Sequence, residues 1–262
     1  MAATVLVKDV LYRFGGLIHD LSPQFIRVPQ VEAINWLNDA QVAITMFLPS
    51  ACSRIDAVKL KAGTRQSIET IAAADCKPGD GSTPNTSIIG VQFLESFRNM
   101  GTDGLTPGRV ARVVPREDLD AFSAGWHTAT NTYNRVDAVM YDPRFPRYFH
   151  VYPPIPATPA VWLEFGYTAQ PLKVPNVGNE DYSAGGSSTE VIKIADQYLE
   201  MIVDYMVARA HMKETSWRDE GKAVAFTSKF VGGLNAIVTS LTGTNPNLQR
   251  LPFAPEPLGQ AR

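Results

Sequence analysis

Glu117, Asp118 and Asp120 could supply the paired carboxylates that acid–base hydrolysis requires. They follow Pro115-Arg116, however, and acids in the first turn of a helix are accounted for by the helix dipole. The four histidines, His19, His127, His150 and His211, lie too far apart in sequence for an i, i+4 metal pair. His150 falls on the Tyr148/Tyr152 face of an alternating segment and reads as a packed or surface residue. Cys52 and Cys76 have neither the spacing of a zinc site nor that of a disulfide framework, and two unpaired thiols fit a reducing cytoplasm. No catalytic residue, metal ligand or cofactor site is expected.

Two further groups could bind rather than react. The stretch GTDGLTPG from Gly101 to Gly108 lacks the Gly-Lys-Ser/Thr ending of a phosphate loop and reads as a turn. Arg109, Arg112 and Arg116 form a local basic cluster able to touch phosphates or to form half of a subunit contact. The aromatic set Tyr141, Phe145, Tyr148, Phe149, Tyr152, Trp162, Phe165 and Tyr167 exceeds the needs of one small sheet, and aromatics are enriched at protein interfaces.

Composition sets the outer bounds. The 262 residues are 45% hydrophobic and 19% charged, enough for a large core, and the net charge of −2 excludes a polybasic nucleic-acid binder. No apolar run reaches the length of about 18 residues that a membrane span requires. The N-terminus has no secretory leader pattern, so a soluble protein is expected.

The elements that position these residues follow from periodicity. Thr4 is placed to cap a first helix with Val7, Val10, Leu11, Phe14, Leu17 and Ile18 on one stripe. A second helix, Gln30 to Leu48, carries Val31, Ile34, Leu37, Ala40 or Gln41, Ile44 and Phe47, with Pro29 at its first position. From Ala51 the period changes to two. Ile55–Leu60 and Arg65–Ile71 read as a β-hairpin about Ala62-Gly63-Thr64, and Asp75–Ser87 as a loop. Strands are predicted over Ile88–Phe97, Arg109–Val114, Ala138–Tyr141, Tyr148–Tyr152 and Val161–Tyr167, with a short helix over Pro115–Phe122. Pro153-Pro154 is placed in a connection, and Val161, Leu163, Phe165 and Tyr167 on one face opposite Trp162 and Glu164. Ser187 and Glu190 form a capping-box signature for a helix over Val191–Met212, and Trp217–Leu241 is a further amphipathic helix. Pro246, Pro252, Pro255, Pro257 and Gly259 leave the end of the chain without periodicity.

The predicted class is α+β: a four-helix core from both chain ends, an inserted, mostly antiparallel β subdomain and an extended C-terminal tail. The divisions are 1–50, an N-terminal helical hairpin; 51–170, the β insert; 171–242, the helices completing the core; and 243–262, the tail. On the Gln30 helix, the polar side with Asn38, Asp39 and Gln41 near its boundary is expected to be free for a neighbouring subunit.

A series of short motifs follows one order along the chain. It comprises Arg27-Val28-Pro29, Trp36-Leu37-Asn38-Asp39-Ala40-Gln41, Ala62-Gly63-Thr64-Arg65-Gln66, Arg98-Asn99-Met100-Gly101, Gly108-Arg109, Arg116-Glu117 with Leu119-Asp120, Trp126-His127, Tyr141-Asp142-Pro143-Arg144, and Phe149-His150-Val151-Tyr152-Pro153-Pro154. Over about residues 4 to 240 this series resembles a family of phage head-to-tail adaptor (connector) proteins of double-stranded DNA phages, mainly short-tailed ones. The loop Asp75–Ser87 is longer than the family pattern, and the tail after Gly243 has no matching motif.

The resemblance implies a non-enzymatic virion protein of the neck or tail, assembled in the host cytoplasm, with no cofactor and no membrane contact. It implies a homo-oligomeric ring, commonly a dodecamer, that joins the portal to the tail and continues the channel used in DNA packaging and ejection. The partners implied are portal protein, tail tube, nozzle or fibre proteins, and double-stranded DNA passing without tight binding. Leu248, Leu251, Pro252 and Phe253, apolar residues of the tail, are the expected portal-docking residues, and Arg109, Arg112 and Arg116 the expected subunit or channel contacts. The alternatives are a tail-tube gatekeeper that contacts nozzle or fibre proteins and a virion-associated hydrolase.

Overall fold

The two periodicities resolve into helices and strands in the computed structural model, and the class is α+β. The structure describes residues 4–20, 26–68, 70–78, 88–89, 93–122, 125–128, 134–142, 144–145, 147–175, 182, 186–213 and 218–244. One unit comprises Met1–Ala51 with Pro171–Arg262, and a second comprises Cys52–Gln170. The helices are α1 (Val7–Leu17), α2 (Gln30–Phe47), α3 (Arg116–Phe122), α4 (Leu199–Met212) and α5 (Glu220–Thr244); of these, α3 lies in the second unit. The second unit also holds β1 (Ser53–Lys59), β2 (Gly63–Ser67), β3 (Thr70–Ile71), β4 (Cys76–Pro78), β5 (Ile88–Ile89), β6 (Phe93–Asn99), β7 (Arg112–Val113), β8 (Ala138–Tyr141), β9 (Tyr148–Ile155) and β10 (Trp162–Thr168).

In the helical unit one apolar cluster draws on α1, α2, α4 and α5, together with Val174, Tyr182, Ile192 and Ile194. The stripe of α1 is buried except at Leu17, which faces solvent. On α2, Ile34, Leu37, Ala40 and Ile44 are buried as their spacing predicts, but Val31 and Phe47 are each 56% exposed. Ala33 and Ile34 near one end and Ile44 and Leu48 near the other are buried, so both ends are covered, and at about 100° per residue Val31 and Phe47 fall on opposite edges of the buried arc.

Three expectations about helix ends are corrected. Thr4 does not cap α1: its backbone N–H and its hydroxyl both donate to Asp196. The Val7 N–H, an orphan donor of the first helical turn, is satisfied instead by the Glu190 carbonyl at 2.9 Å, and the Ile192 N–H donates to the Val5 carbonyl at 3.1 Å. That pairing holds residues 190–192 extended, so the Ser187/Glu190 signature opens no helix. α4 starts at Leu199, after a 3-10 turn over Asp196–Tyr198. At the other end of the unit, α5 runs to Thr244, past the Leu241 of the sequence reading, and Trp217 lies outside the described residues. Lys229 of α5 bonds Asp204 of α4 at 2.9 Å; burial raises the pKa of Asp204, and this bond opposes the rise.

The β unit is two four-stranded sheets, β4-β1-β10-β6 and β2-β9-β8-β7, plus the pair β3-β5. The predicted β1–β2 hairpin is therefore absent: β1 pairs with β10 and β4, whereas β2 pairs with β9. The buried Gln66 side chain bonds both the N–H and the carbonyl of Lys61, each at 2.8 Å, and Gly63 takes φ 104°. This closes a corner that sends the chain from one sheet to the other. Other strand bounds differ too. Cys76–Pro78 of the predicted loop is a strand against β1, while 79–87 lie outside the described residues; Ile88–Phe97 divides into β5 and β6. Pro153-Pro154 lies within β9 rather than in a connection. These prolines fall beyond the last β8 partner, Tyr152, and where the β2 register shifts, so their missing N–H costs no ladder bond.

The sheets share a core in which Phe97, Phe149 and Phe165 meet pairwise at 6.0 to 6.1 Å between ring centroids. Val161, Leu163, Phe165 and Tyr167 face it together, as alternation predicts. Trp162 on the opposite face is buried as well, under the Gly101–Gly104 turn.

Candidate functional site

Where the backbone turns sharply, the polar side chains are largely occupied in holding it. In the Gly101–Gly108 stretch, Asp103 accepts from the N–H groups of Leu105 (2.9 Å) and Thr106 (3.0 Å) and from the Thr106 hydroxyl, which lowers its pKa to about 2. Gly101 and Gly104 take positive φ. The stretch is a turn, as its sequence predicts. Asn99 plays the same part in the core: its Nδ2 donates to the carbonyls of Arg109 and Val136, and its Oδ1 accepts from the Val136 N–H.

Asn38 and Gln41 on α2 are corrected from subunit-facing residues to internal clamps, and both are buried. Asn38 bonds both backbone groups of Val174, and Gln41 accepts from the Lys193 N–H at 2.5 Å. Asp39 is exposed.

The three candidate arginines are all exposed. Arg109 holds its backbone carbonyl to Asn99, and Arg112 lies on β7, opposite Ala138 in a parallel pairing with β8. Arg116 opens α3 and places its Nε 3.5 Å from Asp120. Leu248, Leu251, Pro252 and Phe253 lie outside the described residues.

Arg116 belongs to a cluster that sequence spacing does not reveal. On β9, His150 is paired across the sheet with Arg65 of β2 and Met140 of β8. Its ring centroid is 5.9 Å from that of Trp126 and 6.2 Å from that of His127. Trp126 is fully buried and donates its indole N–H to Asp120 at 2.7 Å. Asp120 thus holds Trp126 with one oxygen and faces Arg116 with the other, while Glu117 and Asp118 are exposed. Burial, reinforced by the positive charge of Arg116, His127 and Arg65, lowers the pKa of His150. Arg65 lies 4.7 Å over the Tyr148 ring. The only prior signal of this cluster was alternation, which places His150 on the Tyr148 face.

Among the described residues, no group of three or more His, Cys, Asp or Glu could hold a metal ion, and no helix is long and apolar enough to cross a membrane. Half of the aromatic set is core: Phe149, Trp162, Phe165 and Tyr167 are buried, Tyr141, Tyr148 and Tyr152 are half-buried, and Phe145 is 62% exposed.

Residues 6–250 match the family model described as SU10 adaptor protein. No curated protein matches the chain.

Proposed function

We infer the role from one premise: this chain belongs to the SU10 adaptor protein family, a phage adaptor family. We propose that it is a structural, non-enzymatic protein of the virion neck, that its copies form a homo-oligomeric ring, dodecameric in its full form, and that the ring joins the portal to the tail and continues the DNA channel. The observation behind this reading is a family match that extends over nearly the whole chain, through both structural units. The near-balanced charge supports it, because a conduit that neutralised many phosphates would hold DNA rather than pass it.

In this reading Arg109, Arg112 and Arg116 provide exposed positive charge for a neighbouring copy or for passing DNA. Leu248, Leu251, Pro252 and Phe253 dock on the portal, and tail tube, nozzle or fibre proteins bind on the other side. Assembly takes place in the host cytoplasm. The test is electron microscopy of the purified chain, alone and mixed with portal protein. A ring, or a ring seated on the portal, is the expected result.

A further inference from the structure

We propose that the outer face of β2 and β9, where Arg65, Arg116, His127 and His150 converge, is a binding site for a phosphate group, either free or within a DNA backbone. These cationic or protonatable side chains come from β2, α3, the 125–128 turn and β9, brought together only by the fold. Arg65 and His150 are cross-strand partners, a placement that brings their Cβ atoms to about 5 Å. His127 is stacked on the buried Trp126 with 3.5 Å between ring centroids, which fixes its ring near His150.

Among the described residues, Asp120 is the carboxylate that faces this group. It is already engaged by Arg116 and the Trp126 indole, and β8 contributes the uncharged Met140 opposite His150. Arg65 has the Tyr148 ring beneath it and no carboxylate partner among the described residues. The result is an excess of donors over acceptors. Two guanidinium groups and two imidazoles match the tetrahedral oxygens of a phosphate better than the two coplanar oxygens of a carboxylate.

The test does not depend on oligomeric state, so it is separable from the ring proposal. Histidine hydrogen–deuterium exchange, read by mass spectrometry, gives the pKa values of His127 and His150 in the full chain. Measurements are made in chloride, in inorganic phosphate at matched ionic strength, with a 20-base-pair duplex, and with polyglutamate. Phosphate is expected to raise the His150 pKa by about 1, and R65Q, a change at an exposed residue, to abolish that rise while leaving the fold intact. A duplex effective at 100-fold lower concentration than phosphate identifies the DNA backbone as the source; equal or weaker action identifies free phosphate. Unchanged histidines with both probes, or a polyglutamate effect as strong as that of phosphate, would overturn the proposal.

Discussion

Asn38 grips Val174 by both of its backbone polar groups: Asn38 Oδ1 accepts from the Val174 N–H at 2.8 Å, and Asn38 Nδ2 donates to the Val174 carbonyl at 3.1 Å. A residue near the start of the chain thereby fixes the segment that re-enters the helical unit after the β insert. Asn38→Leu removes both bonds and strands two buried backbone groups. Chemical denaturation should show a loss of about 2–6 kcal/mol, since each of the two unsatisfied groups costs about 1–3 kcal/mol.

The Tyr167 hydroxyl donates to Asp56, a carboxylate buried between β4 and β10 with the Arg54 guanidinium 4.0 Å away. Tyr167→Phe keeps the ring and deletes that donor, so stability should fall by about 1–3 kcal/mol. Cys76 lies near the same carboxylate; burial, reinforced by the negative charge of Asp56, raises its pKa to about 12. Its thiol should react with a maleimide only on unfolding.

Gly104 lies against the Trp162 indole: a Cβ there would come 2.7 Å from the ring, and its φ of +73° disfavours any L side chain. Gly104→Ala should cost at least about 1 kcal/mol on conformational grounds alone. Altered tryptophan fluorescence should accompany the loss.

His150 makes stability depend on pH. Its folded pKa lies below the ordinary value of about 6.5, so the unfolded chain takes up the proton first as pH falls. Its contribution is full above about 6.5 and is lost as pH drops through the folded pKa. Urea midpoints in chloride buffer should therefore fall from pH 7.5 to 5.5, and His150→Gln should reduce that fall.

The local patterns were legible and the long-range pairings were not. Ile34, Leu37 and Ile44 declare the buried side of α2, and Leu163, Phe165 and Tyr167 the core side of β10, because period alone assigns a face. Alternation in Ile55–Leu60 and Arg65–Ile71 identifies strand-forming sequence but not the neighbouring strand, and a Gln66-bonded corner carries the same sequence signal as a hairpin turn. The Ser187/Glu190 signature lost to the pairing of residues 190–192 with 5–7, which is invisible at that sequence distance. Asn38 and Gln41 lie at the edge of a stripe, where spacing cannot separate a solvated amide from one bonded to a distant backbone. His127 and His150 meet only because β9 carries one of them back beside the Trp126 turn.

The proposed docking residues can be tested by truncation. Deleting residues 245–262 spares every residue of α5, which ends at Thr244. The truncated chain should keep its helical circular dichroism and its denaturation midpoint, but bind portal protein at least tenfold more weakly in co-sedimentation. Undiminished binding would remove Leu248, Leu251, Pro252 and Phe253 from the docking role.

The adaptor reading rests most directly on assembly. Cryo-electron microscopy of the chain mixed with its portal protein should show a closed ring of this protein seated coaxially on the portal. Particles of bare portal beside monomeric chain, at concentrations well above those of the neck components in an infected cell, would contradict it.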